Sequence, residues 1–339
     1  MAEEWGRRTK ALACAAVLAA LLVLAVFLDL SYAPDPIPFR RVWDVICGNG
    51  TWADSLIVPM NAERVCIGAV VGSGLAVAGA AMQAMFRNPM ASPYILGLSS
   101  GASLGAALGI LFAVPFIPAV VSTPVLAFVF CLLTMFLVYG VSRIGGVTHT
   151  ETLILTGIAV SSLMSAVVSF LTFISGDKME DIVFWTMGSL SRADFGETAA
   201  VAIPAAAGMI VIYSYAKDLN AMMIGDSHAM DLGIDVAKTR LIVLVASTLV
   251  TASAVAFAGS IGFVGLIIPH IFRILLGPDN RILIPISALG GAAFLIFCDW
   301  LAHVIAEQYG VLPIGILTAL VGAPYFIYLL RVRRNEVGW

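Results

Sequence analysis

Long apolar runs separated by short polar breaks dominate the chain. The runs fall at about residues 11–30, 64–86, 95–113, 119–141, 152–174, 198–216, 240–258, 261–276, 283–305 and 313–330. A helix needs about 17 to 25 mostly apolar residues to cross a bilayer, so the pattern predicts about ten spanning helices. The third and eighth runs are short and broken by Gly and Pro. The first, "ALACAAVLAALLVLAVFLDL", follows Arg7, Arg8 and Lys10. It is longer than the apolar region of about 7 to 15 residues in a cleaved signal peptide, and reads as a retained span. The expected fold class is an all-α polytopic membrane protein, with one transmembrane domain over residues 1–339.

Composition supports that reading. The chain is 60% hydrophobic and 12% charged, with a mean hydropathy of +1.01. Soluble chains carry about 25% charge, so a soluble globular protein is excluded. A net charge of −3 leaves no basic footprint for nucleic acid. The basic residues also test the span count. With the N-terminus in the cytoplasm, the cytoplasmic ends carry Arg7, Arg8, Lys10, Arg87, Arg143, Lys217, Lys238, Arg240, Arg273, Arg281, Arg331, Arg333 and Arg334. The outer ends carry Arg40, Arg41, Arg64, Lys178 and Arg192. Thirteen of the 18 basic residues fall inside, as the positive-inside rule requires, and both termini are expected in the cytoplasm.

Two hydrophilic segments remain. Residues 175–198 are acidic, carry Trp185 and fall outside. Residues 216–240 fall inside and are long for a helix connection, typically about 2 to 8 residues. Leu219, Met222 and Met223, then Ala229, Met230 and Leu232, predict two short amphipathic helices hinged near Gly225. Such a segment suits docking of a cytoplasmic partner.

The candidates for chemistry are few. Gly97-Leu98-Ser99-Ser100-Gly101 spells G-x-S-x-G, the pattern of a hydrolase nucleophile elbow. Its flank, "RNPMASPYIL", lacks the strand that an elbow needs, so Gly and Ser read as packing residues between close helices. The chain holds no G-x-x-x-x-G-K-[ST], so ATP-driven work would need a separate ATPase subunit. Asp299 lies inside the ninth run with His303 four residues on, which reads as a structural pair. His270 follows Pro269 at a kink. The cysteines at 14, 47, 66, 131 and 298 have no metal spacing.

The stretch "ERVCIGAVVGSGLAVAGAAMQAMFRNPMASPYILGLSSGASLGA" closely resembles the signature of FecCD-like permease subunits of type II ATP-binding-cassette importers. "LNAMMIGDSHAMDLGIDV", "GSIGFVGLIIPHIFRILLGPDNRILIPISALGGA" and "LPIGILTALVGAPYFIYLL" resemble later signatures of that family, in order. The resemblance implies the ten-helix type II importer fold, acting as a homodimer or with a similar paralogue. It implies two cytoplasmic ATPase subunits that bind the ATP and magnesium, and an extracytoplasmic substrate-binding protein. It places a cytoplasmic gate at Asn88 and Met90 and at Thr150 and Glu151. It assigns ATPase coupling to Leu219, Met222, Met223, Gly225, Asp226, Ala229, Met230, Leu232 and Gly233. Docking of the binding protein falls to Arg64 and His303, although the family's R-L-P-R reads Asn61-Ala62-Glu63-Arg64 here and its later arginine is His303.

The expected function is uptake of a metal chelate (ferric siderophore, haem or cobalamin) by alternating access across a prokaryotic cytoplasmic membrane. The chain itself does no chemistry and binds no cofactor or metal. Two other classes remain open on sequence: an ion-coupled secondary transporter using Asp299 and His303, and an intramembrane serine hydrolase using Ser99 or Ser100.

Overall fold

The computed structural model describes residues 2–32, 37–112, 116–144, 147–148, 150–190, 194–306 and 312–332. Arg192, Arg333 and Arg334, used in the reading of the sequence, lie outside these, as do the side chains of Arg7 and Arg8. The helices run α1 (Ala2–Leu30), α2 (Phe39–Ile46), α3 (Asp54–Met85), α4 (Leu98–Leu111), α5 (Ala119–Ser142), α6 (Thr150–Ile174) and α7 (Met179–Met187). They continue with α8 (Phe195–Ser214), α9 (Ala216–Ile224), α10 (Asp226–Asp231), α11 (Val236–Ala258), α12 (Val264–Leu276), α13 (Asn280–Ala306) and α14 (Ile314–Val332). A 3-10 helix at Pro93–Leu96 precedes α4. A two-residue ladder pairs β1 (Arg143–Ile144) with β2 (Val147–Thr148) between α5 and α6.

Among the described residues seven helices are long and apolar enough to cross a bilayer: α1, α3, α5, α6, α8, α11 and α13. The shorter apolar helices α4, α12 and α14 complete the set expected from the sequence. The pattern did not reveal α2 and α7. The latter lies within the hydrophilic segment 175–198 and buries Ile182.

Contacts between helix ends fix two opposite ends of the bundle. Near the start of α3, Arg64 meets Asp29 at the end of α1 and Asp299 near the end of α13. At the same end Lys178, just before α7, donates to the carbonyls of Ile110 and Leu111 at 2.8 and 3.2 Å. These are orphan acceptors at the C-terminus of α4, where a cation is favoured. At the other end, the turn after α3 meets α10, and α9 meets the α12–α13 loop. Helices α2 and α7 therefore mark one end, and α9 and α10 the other.

Helix α3 forms the centre. Every residue from Gly74 to Met85 is buried, as expected of a helix that is apolar all round. It packs on α8, α11, α12 and α13. Two crossings depend on glycine. A Cβ on Gly72 would strike the carbonyl of Gly291 in α13, and one on Gly79 would strike the backbone of Gly265 in α12. In lipid there is little hydrophobic drive between helices, so such close backbone packing contributes much of the cohesion. By contrast α1 and α6 are mostly exposed along their spans, with faces free for lipid or another chain.

Candidate functional site

The turn after α3 is built by backbone chemistry. Phe86 closes the helix, and Arg87 follows with φ of +50°. Asn88 N–H donates to Gln83 O at 3.1 Å and Arg87 N–H to Ala84 O at 3.2 Å. That is a Schellman cap, with arginine where glycine usually sits. Ala91 N–H then donates to Asn88 O at 3.0 Å, and the Asn88 Oδ1 accepts from Met90 N–H at 2.8 Å. Asn at the first position and Pro89 at the second suit this turn. Asn88 thus shapes the turn with its side chain, and Met90 sits half-buried at its tip.

The 3-10 helix that follows ends at Gly97, whose φ of +78° starts α4. Here the G-x-S-x-G motif resolves into packing. Ser99 Oγ lies 2.6 Å from Ser260 Oγ, and Ser165 Oγ of α6 donates to Ser100 Oγ at 3.3 Å. Both hydroxyls join neighbouring segments, and no strand precedes the turn. The serine-hydrolase reading is corrected on that ground.

Thr150 and Glu151 open α6. Glu151 is exposed in the first turn, where a carboxylate favours the helix dipole. Among the described residues no hydrogen bond or ion pair joins them to Asn88 or Met90. Helix α6 instead meets the 3-10 helix through Gly157, packed on the Ile95 carbonyl. Ser162, Ser165 and Ser169 form an exposed polar stripe on α6. Ser162 and Ser169 donate to carbonyls one turn back.

Residues 216–240 contain the two expected helices, with Gly225 between α9 and α10. Their apolar residues divide by face. Leu219, Met222 and Ala229 are buried, while Met230 and Leu232 are 58% and 62% exposed. Ile224, which the sequence reading omitted, is 72% exposed beside them. Gly233, at φ of +81°, ends α10. Its N–H donates to Met230 O and that of Ile234 to Ala229 O, a second Schellman cap.

Polar bolts fix this segment to the bundle. Asp226 Oδ2 accepts from Arg240 at 2.9 Å, and its Oδ1 lies 3.8 Å from Arg87 Nη2. Asn220 donates to Asp279 at 2.7 Å and accepts from the Asn280 backbone at 2.8 Å. Asp279 is held down at about 2 by hydrogen bonds from Arg281 and Asn220. Met223 Sδ lies 3.4 Å from donors on Arg273 and Asn280. Arg87, Asn220, Arg240, Asp279 and Asn280 carried no signal of this role in the sequence, because each acts across a tertiary contact.

At the opposite end the expected docking residues form an internal cluster. Arg64 donates to Asp29 at 2.8 Å, to Asp299 at 3.2 Å and to Asn61 Oδ1 at 3.3 Å. The Asp29 and Asp299 side chains are 0% and 4% exposed, and that of Arg64 is 11%. His303 Nδ1 sits 2.8 Å from the Asp299 carbonyl and 3.8 Å from its carboxylate. Arg64 is thus the counter-ion of two buried carboxylates, and each of its three nitrogens has a partner within the cluster. The contacts give Arg64 an internal role beside its expected one in docking, because a buried carboxylate needs a close cation. His303 remains half-buried at the edge. A cavity of about 610 Å³ opens at this end among α4, α5, α7, α8 and α11, with Trp185, Lys178, Asp181 and Glu197 on its walls.

The chain matches the FecCD transport family over residues 21–332. It is 42% identical to the "Cobalamin import system permease protein BtuC" of Halobacterium salinarum, over 83% of this chain and 74% of the relative. It is 36% identical to the "Hemin transport system permease protein HmuU" of Yersinia pestis, over 94% of this chain and 96% of the relative. Among solved structures, a metal-chelate type ABC transporter in an inward-facing conformation superposes with a TM-score of 0.83 at 32% identity, covering 93% of this chain and 97% of that one. The chain belongs to the FecCD transport family. It is a multi-pass permease subunit of an ATP-binding-cassette importer, and ATP hydrolysis belongs to a separate subunit.

Proposed function

We propose that this FecCD-family permease takes up a metal chelate by alternating access, with the turn at Asn88 and Met90 as the gate that α9 and α10 control. The carrying observation is the Arg87–Asp226 contact. It joins the gate turn to the first residue of α10, so a push on α10 reaches the turn without passing through a flexible linker. Exposed Ile224, Met230 and Leu232 on the same segment offer an apolar face for an ATPase subunit.

In this reading the chain is one permease domain, with both termini and α9–α10 in the cytoplasm of a prokaryote and the bundle in its cytoplasmic membrane. Two copies, or one copy and a paralogue, enclose the pathway, with Thr150 and Glu151 on its inner rim. The exposed serine stripe on α6 suits its wall, since satisfied hydroxyls offer weak polarity to a large cargo. Two ATPase subunits bind ATP and magnesium. An extracytoplasmic binding protein docks at the α2–α7 end near Arg64 and His303 and delivers the chelate. Lipid covers the remaining apolar faces, and nucleic acid plays no part. The names of the relatives, which include cobalamin, hemin and Fe(3+)-citrate permeases, support a metal-chelate cargo.

Uptake into proteoliposomes containing this chain and its ATPase tests the reading, with cobalamin, haemin and ferric citrate as probes. ATP-dependent accumulation of one of them is expected. Accumulation driven by an ion gradient without ATP would overturn it.

A further inference from the structure

A second polar feature lies beside the gate turn, at the α9–α10 end. A cavity of about 250 Å³ is lined by Gln83, Arg87, Pro89, Met223, His270, Arg273 and Ile274. A water takes about 30 Å³ in the liquid, so this space holds a group well beyond one water. Its walls come from the end of α3, the turn, α9 and α12.

The lining is chemically unbalanced. Arg273 spends one nitrogen on a weak contact to Met223 Sδ, at 3.4 Å. Its Nε and Nη2 are buried with no hydrogen-bond partner among the described residues. Gln83 is 2% exposed. Its Nε2 donates to Leu266 O at 2.9 Å, while its Oε1 is buried and unpaired. Leaving such groups buried and unsatisfied is unfavourable, the more so when they are charged. Arg87 stands 46% exposed at the mouth, 3.8 Å from Asp226. Asp226 is also engaged by Arg240, so one carboxylate faces two arginines, and Arg273 adds a third cation. Among the described residues no carboxylate lines the cavity itself.

The geometry points to a binding site for a phosphate group that also carries a hydroxyl. Phosphate oxygens satisfy the two free nitrogens of Arg273 and reach Arg87. A hydroxyl on the same ligand donates to Gln83 Oε1, which a bare carboxylate cannot do. Two sources share this chemistry: free monohydrogen phosphate, and the glycerol-phosphate head of an anionic lipid. Basic pockets between helices at the cytoplasmic side of a membrane suit such heads. The mouth carries Ile274, 46% exposed, and the neighbouring Leu275 is 60% exposed, so the entrance has an apolar side as well as a cationic one. A ligand here would touch the gate turn at Pro89 and α9 at Met223, and so would brace the two against each other.

The test uses the full-length chain, wild type and with Arg273→Gln or Arg87→Gln. One arm places it in nanodiscs of phosphatidylcholine with or without phosphatidylglycerol, and counts retained phosphatidylglycerol by native mass spectrometry. The other titrates inorganic phosphate in neutral detergent and follows the thermal midpoint. The expected result is one ligand held by the wild type at least tenfold more tightly than by either variant, in one arm or the other. The arm that responds identifies the source. Arg87→Gln, at a half-exposed position, keeps the comparison informative if Arg273→Gln does not fold. Equal retention by wild type and folded variants, or no response in either arm, would overturn the proposal. So would an arginine dependence confined to ATPase association.

Discussion

Arg87 Nη2 lies 3.8 Å from Asp226 Oδ1, across the gap between the turn that ends α3 and the first residue of α10. The contact is longer than a hydrogen bond and half-exposed, so its energy is small. Its importance lies in position. Arg87 is in the left-handed region at φ of +50°, a conformation that costs a non-glycine residue about 1–2 kcal/mol. A glycine would cap α3 more comfortably, yet would lose the contact. Arg87→Gly is therefore expected to leave the thermal midpoint unchanged or slightly higher while lowering ATP-driven uptake. A parallel fall in both would show that the arginine is there for folding alone.

Asn88 is expected to act through its turn. Asn88→Ala removes the acceptor for Met90 N–H, a loss of about 1 kcal/mol. Asn88→Asp keeps it. Thermal unfolding should rank wild type and Asp together, above Ala. Equal midpoints for Ala and Asp would mean that the side-chain bond does not hold the turn.

The Arg64 cluster should respond more strongly. Arg64→Gln leaves Asp29 and Asp299 buried without their cation, and breaking a buried pair in this way costs about 3–5 kcal/mol. A large drop in the thermal midpoint of the isolated chain is expected, with no binding protein present. An unchanged midpoint, with weakened binding-protein association, would leave Arg64 only the docking role that the sequence suggested.

That outcome bears on what could be read from the sequence. The bilayer enforces long apolar runs, so the spanning helices were legible, down to the short α4 and α12. The hinge at Gly225 was legible too, because Leu219, Met222 and Ala229 repeat at helical spacing and a glycine interrupts them. Arg64 was not, since its partners sit 35 and 235 residues away in sequence. Nor were Asn220 and Asp279, which meet across 59 residues. Helix α7 escaped notice because it is short and embedded in a polar segment.

Two glycines separate packing from flexibility. Gly72→Ala would push a methyl into the Gly291 carbonyl, whereas Gly140 has nothing within 4 Å of its would-be Cβ. Overpacking costs about 1–3 kcal/mol, and glycine inside a helix is about 0.5–1 kcal/mol worse than alanine. Gly72→Ala should lower the thermal midpoint, and Gly140→Ala should hold or raise it. The reverse order would contradict the α3–α13 crossing.

Asp279 gives a pH dependence. Hydrogen bonds from Arg281 and Asn220 hold its carboxyl at about 2, below the usual value of about 3.9. A depressed folded-state pKa contributes stability above the unfolded value and loses it as pH falls through the folded one. Hydrogen exchange in α9 should therefore stay protected down to about pH 4 and rise toward pH 2. In Asp279→Asn that acid-dependent step should vanish. Its persistence would place the titrating group elsewhere.

The most direct test of the central claim follows the gate while the ATPase works. With the five native cysteines replaced by serine or alanine, spin labels at Met90→Cys on both permease copies of the assembled complex report the width of the proposed gate by pulsed electron resonance, whatever the cargo. The expected result is a distance that shifts when ATP and magnesium are added to the complex with Asp226 intact. With Asp226→Asn the shift should be reduced or lost while ATP is still hydrolysed. An identical shift in both complexes, or none in either, would contradict the link from α10 through Arg87 to the turn.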